Sequence, residues 1–77
     1  MATPLYQQIA GDISEQIRSG VLKPGDRLPS TKQLMERYEV SETVIRFVMI
    51  QLKAERLVYG QQGRGVYVAE RDPGAAS

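Results

Sequence analysis

The chain has 77 residues, 42% of them hydrophobic and 25% charged, and ten lysines and arginines against nine acids leave a net charge of +1. That length holds one small domain with a marginal core, too little to wall a deep catalytic cleft. Cysteine and histidine are both absent, which excludes a disulfide framework, a thiolate metal site, and the commonest metal ligand and general base.

The opening Met1-Ala2-Thr3-Pro4 lacks the basic and apolar regions of a signal peptide. No apolar run approaches the roughly 18 residues of a membrane span. The expectation is a soluble, cytoplasmic protein with no membrane partner and no cofactor. Thr3 can cap a helix whose first position suits Pro4. Ile9, Ile13 and Ile17 then recur every fourth residue, with Tyr6 a turn earlier. That one-sided stripe predicts a first helix over residues 4–19 with a core-facing side, ended by Gly20 in the left-handed conformation.

Lys23-Pro24-Gly25-Asp26 reads as a turn, because proline fixes φ at one position and glycine permits a positive φ at the next. Arg27-Leu28 is a candidate for a very short strand before Pro29. Ser30 begins a second helix, and Gln33 three residues on completes a capping box. Leu34, Met35 and Tyr38 give that helix its apolar side. After Glu39-Val40, Ser41 caps a third helix from about Glu42 to Glu55. Ile45, Val48, Met49 and Leu52 form its apolar face, while Thr43, Arg46, Ile50 and Lys53 point the other way.

The hydrophobic period then changes from helical to alternating. Leu57-Val58-Tyr59 and Val66-Tyr67-Val68 are rich in β-branched and aromatic residues, and predict two strands joined by a flexible tip over Gly60–Gly65. Such a hairpin is marginal alone and must lean on the helices. Residues 70–77 carry no apolar periodicity and read as a linker or frayed tail. Helix, helix-turn-helix and hairpin in that order predict a mainly α fold: a winged helix-turn-helix of three helices and a two- or three-stranded wing sheet, occupying residues 1–69.

A net charge of +1 is low for a nucleic-acid binder, so the distribution matters more than the sum. Between Ser41 and Gly65, Arg46, Lys53, Arg56 and Arg64 stand against Glu42 and Glu55. The DNA major groove admits one helix. A helix that enters it should carry small and hydrogen-bonding side chains at its N-terminal end, as Ser41, Thr43 and Arg46 do. Helix starts at Ser30 and Ser41 also present N–H groups suited to phosphate. Arg64 between Gly63 and Gly65 suits the tip of a wing.

The ordered string Pro24-Gly25-Asp26-Arg27-Leu28-Pro29-Ser30, Leu34, Val40-Ser41, Thr43, Arg46, Leu52, Leu57, Gly63-Arg64-Gly65 and Val68 resembles the DNA-binding domain of GntR-family transcription regulators, over about residues 4–69. The opening Pro4-Leu5-Tyr6-Gln7-Gln8-Ile9 is most similar to branches whose sensor domains resemble chorismate lyase, and also resembles branches with short helical tails or aminotransferase-like partners. The resemblance implies bacterial transcriptional control, usually repression. It further implies a homodimer on a pseudo-palindromic double-stranded operator, and a C-terminal domain that senses a small-molecule effector. The isolated 77 residues are expected to be monomeric or weakly dimeric.

By the same resemblance, Ser30 matches a helix-start phosphate contact, and Lys32 stands where an arginine commonly touches phosphate or base. Thr43 and Arg46 match recognition-helix contacts, Val44 sits where a small polar residue is common, and Gly63 and Gly65 match the wing glycines. Glu42 departs from the usual arginine; a carboxylate there can accept a hydrogen bond from a cytosine amino group. Plainer roles stay open beside these. Capping alone accounts for Ser30 and Ser41, and Glu42 suits the helix dipole. Phe47 and Ile50 lie off the main apolar stripe. Either they tuck under the first helix or the wing, or they anchor a winged-helix module whose partner is another protein.

Overall fold

The computed structural model describes residues 4–70. The isoleucine stripe of the first helix, α1 (Leu5–Arg18), faces inward: Ile9, Ile13 and Ile17 are buried, together with Ala10 and Ser14. Pro4 stands one position earlier than the sequence suggests. It is the N-cap, at φ −53° and ψ 144°, and its carbonyl accepts from the Gln7 and Gln8 N–H groups at 3.0 and 3.2 Å. The extended ψ turns the chain into the helix, and a residue without an N–H is tolerated at that point. Thr3, the expected cap, lies outside the described residues, as does the expected linker beyond Glu70. Gly20 ends the helix as expected, at φ 88°.

Two further helices follow, α2 (Thr31–Tyr38) and α3 (Glu42–Ala54). The turn between them spans Glu39, Val40 and Ser41. Glu39 takes a left-handed conformation at φ 56°, and the Val40 N–H donates to the Met35 carbonyl at 3.1 Å. That geometry swings α3 away from α2, and Ser41 restarts the helix with its side chain accepting from the Val44 N–H. Ile45, Val48, Met49 and Leu52 are buried, packing α3 against α1 and α2 around Leu28, Leu34, Leu57, Val58 and Val68. The Tyr38 hydroxyl donates to Asp12 Oδ2 at 2.6 Å and ties α2 to α1.

The hairpin is β1 (Val58–Gln61) and β2 (Gly65–Val68), antiparallel, with Tyr59 opposite Tyr67 and Gln61 opposite Gly65. Its ladder runs further toward the tip than the sequence suggests. Gly60 and Gln61 have little strand propensity by themselves, but their partners Val66 and Gly65 hold them in register. The tip is therefore confined to Gln62, Gly63 and Arg64. Tyr59 and Tyr67 stack across the sheet with ring centroids 5.9 Å apart. The candidate short strand at Arg27-Leu28 resolves to a single bridge between Arg27 and Tyr67 beside the two-stranded sheet. The Leu28 N–H donates to the Val66 carbonyl and the Val68 N–H to the Asp26 carbonyl, both at 2.8 Å, which anchors the wing to the segment leading into α2.

Candidate nucleic-acid interface

The orientation of α3 follows from its buried side. With Ile45 and Val48 fully buried, residues 42, 43 and 46 are turned outward, and Ser41, Glu42, Thr43 and Arg46 are all exposed. Val44 is not: it is half-buried and packed against the core. Its side chain completes the packing, and only its N–H, given to Ser41 Oγ at 3.4 Å, takes part in the helix start. Arg46 Nη2 reaches back one turn to Glu42 Oε2 at 3.3 Å. That is the direction in which helical side chains lean, and it sets the guanidinium beside the N-terminal end of the helix.

The start of α2 is the capping box the sequence predicts. The Gln33 N–H donates to Ser30 Oγ at 3.1 Å, and the Ser30 N–H to Gln33 Oε1 at 2.8 Å. The Thr31 and Lys32 N–H groups are left as those with no acceptor inside the helix. Lys32 is exposed in this first turn, so a cation and two helix-terminal donors share one end of α2.

In the wing, Gly63 lies at φ 78° and Gly65 at φ 124°, a region side chains other than glycine rarely enter. Arg64 between them is exposed at the tip. A Cβ at Gly65 would stand 2.8 Å from Arg27 Nε, so the arginine side chain lies close against the wing at this glycine. Ser30, Thr31 and Gly65, with Arg27 and Met49, border one hollow of about 150 Å³. The start of α2 and the base of the wing are thus brought together. Arg27 and Lys53 were not singled out as contacts by the sequence. For Arg27 the available signal was strand alternation: with Leu28 facing the core, its neighbour must face out.

Phe47 and Ile50 do not tuck away. Phe47 meets the Tyr6 ring of α1 at a centroid distance of 5.6 Å, yet it stays 50% exposed and Ile50 56% exposed. The inward stripe of α3 already fills the contact with α1, and these two residues fall beside it. Among the described residues no group of three or more acids, histidines or cysteines is placed to hold a metal ion. No helix of the described residues is long and apolar enough to cross a membrane.

The family model for bacterial regulatory proteins, gntR family, matches residues 5–68. The mannosyl-D-glycerate transport/metabolism system repressor MngR of Escherichia coli (strain K12) is 45% identical over 67 residues, covering 87% of this chain and 28% of that protein. The Exu regulon transcriptional regulator of the same strain is 39% identical over 69 residues, covering 90% of this chain and 27% of that protein. The chain therefore spans little more than a quarter of the length of these relatives. Among solved structures, AraR(DBD) in complex with operator ORR3 superposes with a TM-score of 0.85 at 33% identity, over 90% of this chain and 83% of that one.

Proposed function

The chain belongs to the gntR family of bacterial regulatory proteins, and on that footing we propose that residues 1–69 read double-stranded DNA as the operator-binding domain of a transcriptional regulator. The observation that carries the reading is the outward face of α3. Ser41, Thr43 and Arg46 are exposed at its N-terminal end, on a helix held to the rest of the domain by an inward side that is fully buried. A helix so mounted enters a major groove with its first turns against the bases. Ser30 and Lys32 at the start of α2 take backbone phosphate, and Gly63, Arg64 and Gly65 carry the wing into an adjacent groove. A winged-helix domain that superposes on this chain is seen with its operator, which supports the same assignment.

Within that reading Glu42 shapes the sequence preference, by accepting from a cytosine amino group and by holding Arg46. Val44 contributes through its backbone and packing. The longer protein acts as a homodimer on a pseudo-palindromic operator. It represses, and a small molecule bound by a separate C-terminal domain, joined through residues 70–77, relieves the repression. Work on DNA places the protein in the cytoplasm, and the domain has no catalytic role. A second reading, a winged-helix module for protein contacts, draws on the exposure of Phe47 and Ile50.

Titration of the chain with mixed-sequence duplex DNA over a salt series separates the two. DNA reading requires the logarithm of the association constant to fall linearly with the logarithm of salt concentration, because phosphate contacts release counterions. Absent or salt-insensitive binding would favour the protein-contact module.

A further inference from the structure

Arg27 is a cation outside the interface built from α2, α3 and the wing tip. It is exposed, and its backbone is held by the bridge to Tyr67 and by the bond from the Leu28 N–H to the Val66 carbonyl. Its side chain lies across the wing. A Cβ at Gly65 would stand 2.8 Å from Nε, 3.3 Å from Nη2 and 3.4 Å from Cζ. Nε and Nη2 are both nearer than Cζ, so the guanidinium turns its Nε–Nη2 edge toward the glycine. Lys53 approaches the opposite strand in the same manner, with Nζ 3.4 Å from the Cβ position of Gly60. Gly60 pairs with Val66, the neighbour of Gly65. Arg27, Lys53 and Arg64 consequently border one open hollow of about 480 Å³ with residues 60–66.

Among the described residues no carboxylate forms an ion pair with any of these three charges. The nearest in sequence, Asp26, spends Oδ2 on the Lys23 N–H at 2.9 Å. The ion pair among the described residues joins Glu42 to Arg46. Three like charges around one concavity favour an anion within it.

We propose that Arg27 and Lys53 form a phosphate seat at the base of the wing, taking the oxygens of one DNA backbone phosphate while Arg64 at the tip enters the groove. This rests on the reading of the domain as DNA-binding. The planar fork of Arg27 grips two oxygens and Lys53 adds a point charge. Gly65, which has no side chain, lets the guanidinium come this close to the ribbon. A contact of this kind fixes the register of the wing along the duplex and carries no base preference.

The test compares the unchanged chain with Arg27→Ala, Lys53→Ala and Arg27→Lys variants on two duplexes of unrelated sequence across a salt series. Thermal unfolding checks that each variant is folded. Arg27→Ala and Lys53→Ala should each weaken binding several-fold, equally on both duplexes, and each should lower the log–log salt slope by about one. Arg27→Lys should keep the slope of the unchanged chain. Folded alanine variants with unaltered slopes would overturn the seat alone, provided the unchanged chain binds with steep salt dependence. So would an Arg27→Lys variant whose slope falls like that of Arg27→Ala, since packing on Gly65 rather than charge would then be at work. If the unchanged chain shows no salt-dependent binding, the DNA-reading assignment falls and the seat with it.

Discussion

Arg46 Nη2 lies 3.3 Å from Glu42 Oε2 one turn back along α3, with side chains 69% and 62% exposed. This i, i+4 pair has the favourable order, acid before base, on a helix whose start welcomes negative charge. Exposure makes it weak, about 0.3–0.5 kcal/mol. It restrains the guanidinium more than it stabilises the fold. Glu42→Gln is therefore expected to leave the unfolding free energy within about 0.5 kcal/mol. The same change should tighten binding to duplex DNA of mixed sequence, where no cytosine contact is selected, because it removes an anion from the reading face. Arg46→Ala should weaken operator binding by about 1–3 kcal/mol if Arg46 reads a base. Undiminished binding by a folded Arg46→Ala variant would take Arg46 out of the interface.

The two helix caps differ in completeness, and their variants should differ accordingly. Ser30 makes a reciprocal box with Gln33 at 3.1 and 2.8 Å, whereas Ser41 makes one long bond at 3.4 Å. Each serine-to-alanine change is expected to lower stability by about 0.5–2 kcal/mol, with Ser30→Ala the larger loss. Thermal unfolding of the two variants gives the order, and a larger loss from Ser41→Ala would contradict it.

Tyr38 supplies a pH dependence. Burial pushes its hydroxyl up, aided by the hydrogen bond to Asp12 and the negative charge of that carboxylate, from the ordinary 10.0 to about 12. The raised value means that the folded state favours the protonated phenol. The associated stability is fully present below pH 10 and is lost as pH rises through about 12. Tyr38→Phe should lower stability near neutral pH by about 1 kcal/mol. Its unfolding free energy should also fall less steeply than that of the unchanged chain between pH 10 and pH 12. Parallel curves over that interval would show that the Tyr38 hydroxyl is not linked to folding.

Glu39 holds φ at 56° in the turn of the helix-turn-helix, a conformation that disfavours any side chain and β-branched ones most. Glu39→Gly should leave stability unchanged or raise it by up to about 1 kcal/mol, and Glu39→Val should lower it by about 1–2 kcal/mol. Chemical denaturation of both variants tests the pair. Equal effects from glycine and valine would mean that the turn is not strained at this position.

Most of the architecture was legible because short-range signals agree along the chain. The spacing of Ile9, Ile13 and Ile17, the box at Ser30 and Gln33, and the change of period after Leu57 each follow from local geometry. The outward face of α3 was legible for the same reason: once Ile45, Val48, Met49 and Leu52 face in, the positions of Glu42, Thr43 and Arg46 are settled. What local rules did not show depends on contacts between distant segments. Gly60 and Gln61 become strand only because of Val66 and Gly65 across the ladder. Arg27 becomes part of the wing only because its segment pairs with Tyr67, 40 positions along the chain. Val44 reads as outward by its place in the helix start, yet packing draws it in. The left-handed turn at Glu39 carries no glycine to announce it.

In the proposed function the N-terminal face of α3, the start of α2 and the wing act as one DNA-reading surface. Backbone amide resonances of the chain, followed during titration with duplex DNA, test it most directly. Perturbations should concentrate at residues 30–32, 41–46 and 62–65 and fade as salt is raised. Perturbations centred instead on Leu5, Phe47 and Ile50, or none at duplex concentrations that saturate other winged-helix domains, would contradict it.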